Sequence, residues 1–248
     1  MKNSIIAAIV FIVLVTLLFA EPAFAGPGGR IASAAFETFW GRVVLGILAI
    51  IFLPLIIYAI FLEKIAENRA RKDLRFMASR SHKFDWLKIL ERVKDCFYRI
   101  HSGWEKEDLT GVTDWMTSWY WQNQQQVHLE KWKRKGLVNI CDVKKITGIK
   151  PLLFVHRNKG GEHEDSMLLI SIEANMQDYL QDRSSGKVVE GSKRYKDVET
   201  IWTFTMEDGD WKVSDIEEGN MSLAYAKLVK ELPDIETTLI SESQAEQE

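Results

Sequence analysis

The side chains that could do acid–base chemistry are few and far apart in this sequence. The five histidines are His82, His101, His128, His156 and His163. His128 could pair with Asp114 or Glu130 as a general acid and base, although spacings of this kind often arise by chance. His163 lies in the polar stretch GGEHEDS, where we expect a solvated side chain. His101 ends an amphipathic helix, where interaction with the helix dipole would account for it.

Metal and covalent chemistry have equally little support. Cys96 and Cys141 form neither a CxxC pair nor a histidine-partnered metal spacing, so we expect two buried, small apolar side chains. The sequence has no Walker loop, GxSxG elbow, HExxH pair or EF-hand loop. We therefore predict a protein without catalytic residues, cofactor or metal ion, and keep a small-molecule isomerase or hydrolase as the weakest alternative.

Aromatic residues give the densest chemical signal. Residues 113–121 read TDWMTSWYW and are followed directly by the polar run QNQQQ. One interpretation is a core, in which Trp115 and Trp119 pack on a sheet and close its wide end. The other is a pocket or groove that accepts an acyl chain or the apolar helix of a partner, because such sites are lined by aromatic side chains.

Composition indicates a folded chain with one sizeable core and an appendage. The 248 residues are 46% apolar and 27% charged, as in globular proteins. The formal net charge is −3, and no strongly basic domain is present. Nucleic acid is therefore not an expected partner.

The N-terminal residues predict a signal peptide and one membrane-spanning helix. Lys2 precedes an apolar stretch that ends in Ala-Phe-Ala, so residues 1–25 fit a signal peptide, whose cleavage the sequence leaves open. Residues 26–42 would form a short extracytoplasmic segment. Residues 43–62 are apolar and uncharged, and as a helix they are about 30 Å long, enough to cross a bilayer. Pro54 is expected to kink or loosen this helix.

The charges beside the predicted span indicate its orientation. Residues 26–42 hold two arginines, whereas residues 63–83 hold seven lysines and arginines, which places the C-terminal side in the cytoplasm. These seven are Lys64, Arg69, Arg71, Lys72, Arg75, Arg80 and Lys83. Residues 63–83 would form a basic juxtamembrane helix, either a solvated stop-transfer signal or a surface for anionic lipid headgroups.

The rest of the chain predicts an α+β domain over residues 84–230. Apolar residues recur every three or four positions from Phe84 to Ile100, and a second helical segment is expected from Asp108 to Lys135. Predicted strands cover 146–155, 167–179, 188–193, 198–206 and 211–216. We expect the helices to cover one face of a strongly bent antiparallel sheet, with the Asp-Gly pair at 208–209 forming a tight hairpin turn.

The C-terminal residues 231–248 carry six acidic side chains and no basic one. With little hydrophobicity besides, this composition predicts a disordered tail.

The order of these features resembles the C-terminal domain family of subunit 44 of the translocase of the inner mitochondrial membrane. The resemblance is carried by the amphipathic helix, Trp104, Asp108-Leu109, residues 136–139 and the late pattern ETIWTF…DWKVSDI. It covers residues 70–220 in outline. Bacterial members of that family are similar to this chain in having an N-terminal signal or transmembrane segment.

The resemblance implies a fold similar to nuclear transport factor 2, a cone with an apolar cavity, placed at a membrane beside anionic lipid and a translocation motor. By position, Trp202 and Phe204 fall on the family's late strand and Trp211 follows its hairpin. The long N-terminal region that recruits the motor chaperone in eukaryotes has no counterpart in this sequence, so an import-motor role is not expected. The implied location is a bacterial inner membrane, with the N-terminus outside and the domain in the cytoplasm.

Together these features predict a non-catalytic, single-pass membrane protein that acts as a tether or accessory subunit of a membrane protein complex. The residues predicted to line a pocket or contact the partner are Trp115, Trp119, Tyr120, Trp121, Trp202, Phe204 and Trp211. The alternative is a lipid carrier or sensor that holds an acyl chain in the cone. Expected partners are membrane protein subunits and the lipid bilayer, including anionic phospholipid.

Overall fold

The computed structural model describes residues 38–159 and 161–239. The predicted signal peptide and most of the predicted extracytoplasmic segment lie outside these residues. The chain divides into two compact units, of which the first ends at Phe61 and the second begins at Leu62.

Helix α1 (Phe39–Ala78) contains the predicted membrane span. Up to Phe61 its large apolar side chains, such as Ile51 and Leu55, are mostly exposed. Within the described residues, α1 is the one helix long and apolar enough to cross a bilayer. The helix continues through Pro54.

The C-terminal part of α1 is built into the second unit and is not a separate basic helix. Leu62, Ala66, Ala70, Leu74 and Met77 recur every three or four residues, and all five are buried, which is the pattern of a helix face against a core. The first two pack with apolar residues of the sheet and of the C-terminal helix, and the last three join the main core. This apolar stripe lies between basic residues, and for that reason the segment had the composition of a solvated helix.

Helix α2 (Trp86–Lys106) confirms the predicted amphipathic helix. It follows a 3-10 turn (His82–Phe84) and begins where the Asp85 carboxylate accepts a hydrogen bond from the Leu87 N–H at 2.8 Å. Such a cap satisfies one of the free N–H groups of the first turn. The buried face of α2 includes Val93, Phe97 and Ile100.

The second predicted helix is broken into short pieces. They are a 3-10 helix (Thr110–Trp115), α3 (Ser118–Asn123), a π-helical turn (Gln124–Leu129) and α4 (Glu130–Arg134). Met116 and Thr117 are extended, and the Thr117 N–H donates to the Val213 carbonyl at 2.9 Å. The prediction of one continuous helix was wrong because this bond to a distant strand replaces the helical one.

Four antiparallel strands form one sheet in the order β1-β2-β3-β4. They are β1 (Leu137–Val155), β2 (Met167–Asp182), β3 (Val188–Glu207) and β4 (Asp210–Glu218). The α+β prediction is therefore confirmed, but the strands are longer than predicted, and 188–193 and 198–206 belong to one strand. Register shifts interrupt both the β1–β2 and the β2–β3 pairing. Because bulges disturb the alternation of inward and outward side chains, they divided one strand into two in the sequence pattern.

The hairpin between β3 and β4 turns at Asp208 and Gly209 as predicted. Their φ angles are 56° and 78°. Two successive positive φ angles are the requirement of a type I′ turn, which asparagine, aspartate and glycine tolerate best.

The C-terminal residues are folded beyond the predicted boundary. A 3-10 turn (Gly219–Met221) leads to α5 (Ser222–Leu228), and two further 3-10 turns cover Val229–Glu231 and Ile235–Thr238. Ile235 is buried in the main core. The predicted disordered tail was therefore wrong for residues 231–239, and residues 240–248 lie outside the described part of the chain.

Candidate functional site

The aromatic segment at 113–121 is divided among three environments, and Trp115 occupies the first. Its indole N–H donates to the Asp95 carboxylate at 2.9 Å. The guanidinium groups of Arg92 and Arg99 lie 5.6 Å and 4.3 Å from the centre of the indole ring, within reach of a cation–π interaction. Trp115 is thus fixed against the polar side of α2.

The next three aromatic residues lie on α3. Tyr120 is buried, and Trp121 is partly buried against the main core. Trp119 is 68% exposed. Successive residues of a helix point about 100° apart, so a short helix that buries Tyr120 necessarily turns Trp119 outward. The core interpretation was therefore wrong for Trp119.

The other three predicted contact residues belong to the core. Trp202 and Phe204 are fully buried and Trp211 is 5% exposed. The Trp202 ring lies 5.2 Å from that of Phe97, and the Trp211 indole N–H donates to the Lys83 carbonyl at 3.0 Å. These side chains are part of the packed core of the domain, and a partner could reach them only if the domain opened.

An open cleft of about 780 Å³ lies where the helical segments meet the far end of the sheet. Trp104 and Trp132, both partly exposed, belong to its lining. The carboxylates of Asp178, Glu190 and Glu218 are exposed at its mouth. No sequence pattern indicated this grouping, because its members come together only in the folded chain.

A second groove, of about 540 Å³, lies between the end of α1 and the start of α2. Its apolar lining includes Leu74, Phe84 and Trp86, and its polar lining includes Arg71 and Arg75. The Arg71 guanidinium lies 4.9 Å from the centre of a Trp86 ring. The sequence indicated the two arginines but gave no sign of the groove.

Four of the seven predicted membrane-surface basic residues have partners within the domain. Lys64 and Arg71 both contact Glu67, at 2.7 Å and 2.8 Å. Arg69 contacts Asp73 at 2.7 Å, and Arg80 lies over the Phe76 ring at 3.8 Å.

The other three basic residues of that set are Lys72, Arg75 and Lys83. In the described part of the chain these three make no ion pair, and Lys72 and Arg75 are exposed. Contact with lipid headgroups stays a prediction, and it depends mainly on these free charges.

His101 has an environment unlike the predicted one, because α2 continues past it to Lys106. Its ring stacks on Trp202 with centroids 5.7 Å apart, and its Nδ1 lies 2.7 Å from the Phe97 carbonyl. Burial lowers the pKa of His101 to about 4. The side chain is therefore a neutral core residue, and the helix dipole does not explain its position.

His163 is buried as well, contrary to the prediction of a solvated loop side chain. Its Nδ1 lies 3.0 Å from Nε2 of His156, and the Nδ1 of His156 lies 2.8 Å from the Thr238 hydroxyl oxygen. That hydroxyl donates to the Ile235 carbonyl, so His156 Nδ1 must donate to it and His156 Nε2 must accept from His163. Burial lowers the pKa of both histidines.

This histidine pair helps to hold the C-terminal segment 232–239 on the domain. The Asn158 amide donates to the Thr238 carbonyl at 3.1 Å, and the Arg69 guanidinium donates to the Pro233 carbonyl at 2.9 Å. The apolar anchor of the segment is Ile235, which is 5% exposed.

Ile235→Ala is expected to lower the free energy of unfolding by about 2 kcal/mol, because it removes a buried aliphatic side chain at the edge of the core. Relative to wild type, backbone amide hydrogen exchange should accelerate more in residues 232–239 than in the rest of the domain. Glu236→Ala, a change at an exposed neighbour, is the control. Equal protection of 232–239 in Ile235→Ala and wild type would show that the segment does not depend on this anchor.

Cysteine and metal chemistry have no geometric support in the described residues. Cys96 and Cys141 are buried and free, and burial raises the pKa of Cys96 to about 12. A thiol with so high a pKa is a poor nucleophile and metal ligand at neutral pH. No group of three metal-ligating side chains occurs in the part of the chain that the structure describes.

Comparison with known proteins gives one family match. Residues 70–218 match the Tim44-like domain. Among curated proteins, none matches this sequence. Among solved structures, the crystal structure of the intermembrane space region of the chloroplast protein ARC6 matches 47% of this chain and 88% of that chain, with 10% identity and a TM-score of 0.28.

Proposed function

The chain belongs to the Tim44-like domain family, and we propose that it is a membrane-anchored, non-catalytic protein whose α+β domain binds another subunit of a membrane complex. In this proposal the domain acts as a tether or accessory subunit. The observation that carries the proposal is the exposure of Trp119, 68% of whose surface is accessible to solvent.

An exposed tryptophan on a short, fixed helix is well suited to binding. Tyr120 is buried beside it and holds α3 on the domain, so Trp119 offers a large apolar ring at a fixed position. Val127, two helical turns further along, is 50% exposed and extends the apolar surface along the same helical segment. Tryptophan is strongly enriched among the residues that contribute most to protein–protein affinity.

The apolar part of α1 supplies the proposed membrane anchor. The excess of basic residues after it favours a cytoplasmic domain at a bacterial inner membrane. Attachment to a membrane helix raises the effective concentration of the domain toward other proteins in the same bilayer. A weak contact through Trp119 would then be sufficient for stable association.

A non-catalytic role agrees with the positions of the titratable groups. His101, His156 and His163 are buried, and none of them lines the large cleft. Asp178, Glu190 and Glu218 do line it but are exposed at its mouth. A general base usually needs an environment that shifts its pKa strongly toward neutrality. Burial raises the pKa of Asp178, but the neighbouring Lys196 opposes that rise.

The test is purification of the full-length protein from its native membrane in mild detergent, followed by mass spectrometry. Wild type should bring down a membrane protein in stoichiometric amount. Trp119→Ala should weaken that association about thirtyfold, the effect of removing a hot-spot side chain.

Leu87→Ala is the matched control, because Leu87 is an equally exposed apolar residue, at 69%, on a different helix. It should retain the partner. A solitary wild-type protein, or equal recovery of the partner with Trp119→Ala, would contradict the proposal.

A second candidate function, lipid binding, is favoured by the groove between α1 and α2. Its apolar lining would accept part of an acyl chain, and Arg71 and Arg75 would face the phosphate. The same purification separates the two functions, because a lipid carrier would come out alone with bound phospholipid. Arg71→Gln combined with Arg75→Gln should then release the lipid, whereas Trp119→Ala should retain it.

A further inference from the structure

Strand β3 is much longer than the strand that pairs with its outer edge. Its partner β4 pairs only with Thr200–Glu207. Of the preceding residues, 190–192 and 196–199 pair with β2 on the inner side, and residues 193–195 bulge between them. No other described segment bonds to the backbone of residues 188–198 on the outer side. The backbone N–H and C=O groups of this outer edge are therefore free to accept another strand.

The end of β4 explains why the edge is left free. The strand is followed by Gly219, where an added Cβ would lie only 2.7 Å from the Glu199 carbonyl oxygen. The chain can pass this close only without a side chain. It then leaves the sheet in the 3-10 turn Gly219–Met221.

The large cleft lies over this free edge. Glu190, Gly191, Lys196, Val198 and Glu199 of β3 all line it, together with the last residues of β4. The edge consists of two short paired stretches, residues 190–192 and 196–199, with a bulge between them. An extended peptide placed there would pair with β3 and extend the sheet beyond the last residue of β4.

The charges of the cleft indicate what kind of peptide it would accept. Asp178, Glu190 and Glu218 contribute three carboxylates and Lys196 one ammonium group. The charge of Glu199 is already opposed by Lys150 at 3.4 Å. The remaining excess of negative charge favours basic side chains on the ligand.

The aromatic lining favours the same ligand. The indole rings of Trp104 and Trp132 contact apolar groups and also attract cations. In an extended peptide, side chains alternate between two faces. Alternating basic and apolar residues would therefore meet both features of the cleft.

We propose that the free edge of β3 binds an extended, basic segment of a partner protein, which adds a strand to the sheet beyond the end of β4. Strand addition of this kind takes its affinity from backbone hydrogen bonds and its specificity from side-chain contacts. The site does not include Trp119 and is separate from the surface proposed above. A second copy of this chain is a poor occupant, because its own edge holds three acidic and three basic side chains and would not supply the basic excess that the cleft favours.

The test uses full-length protein in mild detergent and a decapeptide of alternating lysine and valine as the probe. Wild type should bind the peptide, and hydrogen exchange should show new protection in residues 190–199. A peptide with glutamate in place of lysine should not bind. The same lysine–valine peptide with alternate backbone nitrogens methylated keeps its charge but cannot pair as a strand, and it should bind at least tenfold more weakly.

Substitutions in the cleft test the charge requirement. Glu190→Gln combined with Glu218→Gln should weaken peptide binding about fivefold, the combined effect of two exposed charges. Glu91→Gln, at an exposed carboxylate on α2, is the matched control and should bind normally. Trp119→Ala should also bind normally, which separates failure of this proposal from failure of the one above.

Three outcomes would overturn the proposal. The first is equal binding of the methylated peptide, which would indicate attraction by charge without strand pairing. The second is binding that leaves residues 190–199 unprotected, and the third is protection of that edge by self-association of the protein without any peptide.

Discussion

Replacing Trp202 by alanine is expected to lower the free energy of unfolding by about 3 to 5 kcal/mol, whereas Trp119→Ala should change it by less than about 0.5 kcal/mol. Trp202 is fully buried, stacks on His101 and lies near the rings of Phe97 and Phe204. Its removal leaves a cavity that the long β3 strand cannot close. Trp119 is mostly exposed and loses little on truncation.

The measurement is urea unfolding of the full chain in mild detergent, followed by circular dichroism, since fluorescence would change with the tryptophan itself. Trp202→Phe is the control, because it keeps an aromatic ring in the core and should recover part of the lost stability. If Trp119→Ala proved as destabilising as Trp202→Ala, Trp119 would be a core residue and the proposed partner surface would be lost.

The contrast between these two tryptophans shows which part of the site could be predicted from sequence. Trp202 lies on a strand whose apolar and polar residues alternate near the hairpin, so a local pattern assigns it to one face of the sheet. We predicted that this face lines a pocket or contacts a partner, whereas the structure buries Trp202 in the core. Trp119 lies in a segment that combines a 3-10 helix, an extended pair and α3. The break at Thr117 depends on a hydrogen bond to Val213, and no local pattern predicts a contact with a residue so distant in sequence.

The structure differs from the prediction in two other segments, and both differences have one cause. The average composition of a segment hides a few apolar residues at positions that face the core. The stripe Leu62, Ala66, Ala70 was present in the sequence, but the basic residues around it gave the segment the composition of a solvated helix. Similarly, the acidic C-terminal segment is held by the buried Ile235, by Leu232 and Leu239, which pack partly against the core, and by Thr238. Local signals, by contrast, were reliable: the apolar period of α2 and the Asp-Gly turn both predicted the observed structure.

The cleft could not have been predicted at all from single motifs. Its lining comes from α2, the π-helical turn, α4, all four strands and the turn after β4. The free edge exists because β4 ends at Glu218, opposite Thr200, while the earlier part of β3 extends beyond it. That difference in strand length was hidden, since the sequence pattern divided β3 into two strands. A site built from the ends of several elements becomes visible only when their lengths and register are known.

Acidification should destabilise the domain through His101. Burial lowers the pKa of this histidine from the ordinary value of 6.5 to about 4. Between these two pH values the unfolded chain binds a proton at His101 and the folded domain does not, so stability falls as the pH is lowered from 6.5 toward 4. A difference of this size corresponds to about 3 kcal/mol.

Urea unfolding of the full chain at a series of pH values between 4 and 7.5 measures this dependence. The buried His156 and His163 contribute in the same direction, because their pKa values are also lowered. The contribution of His101 is therefore taken as the difference between wild type and His101→Leu, which should have the flatter profile. His128→Leu is the matched control, because His128 is exposed, and it should keep the wild-type slope. If His101→Leu kept that slope too, the imidazole would remain accessible to protons in the folded domain, and its stacking on Trp202 could not be a permanent part of the core.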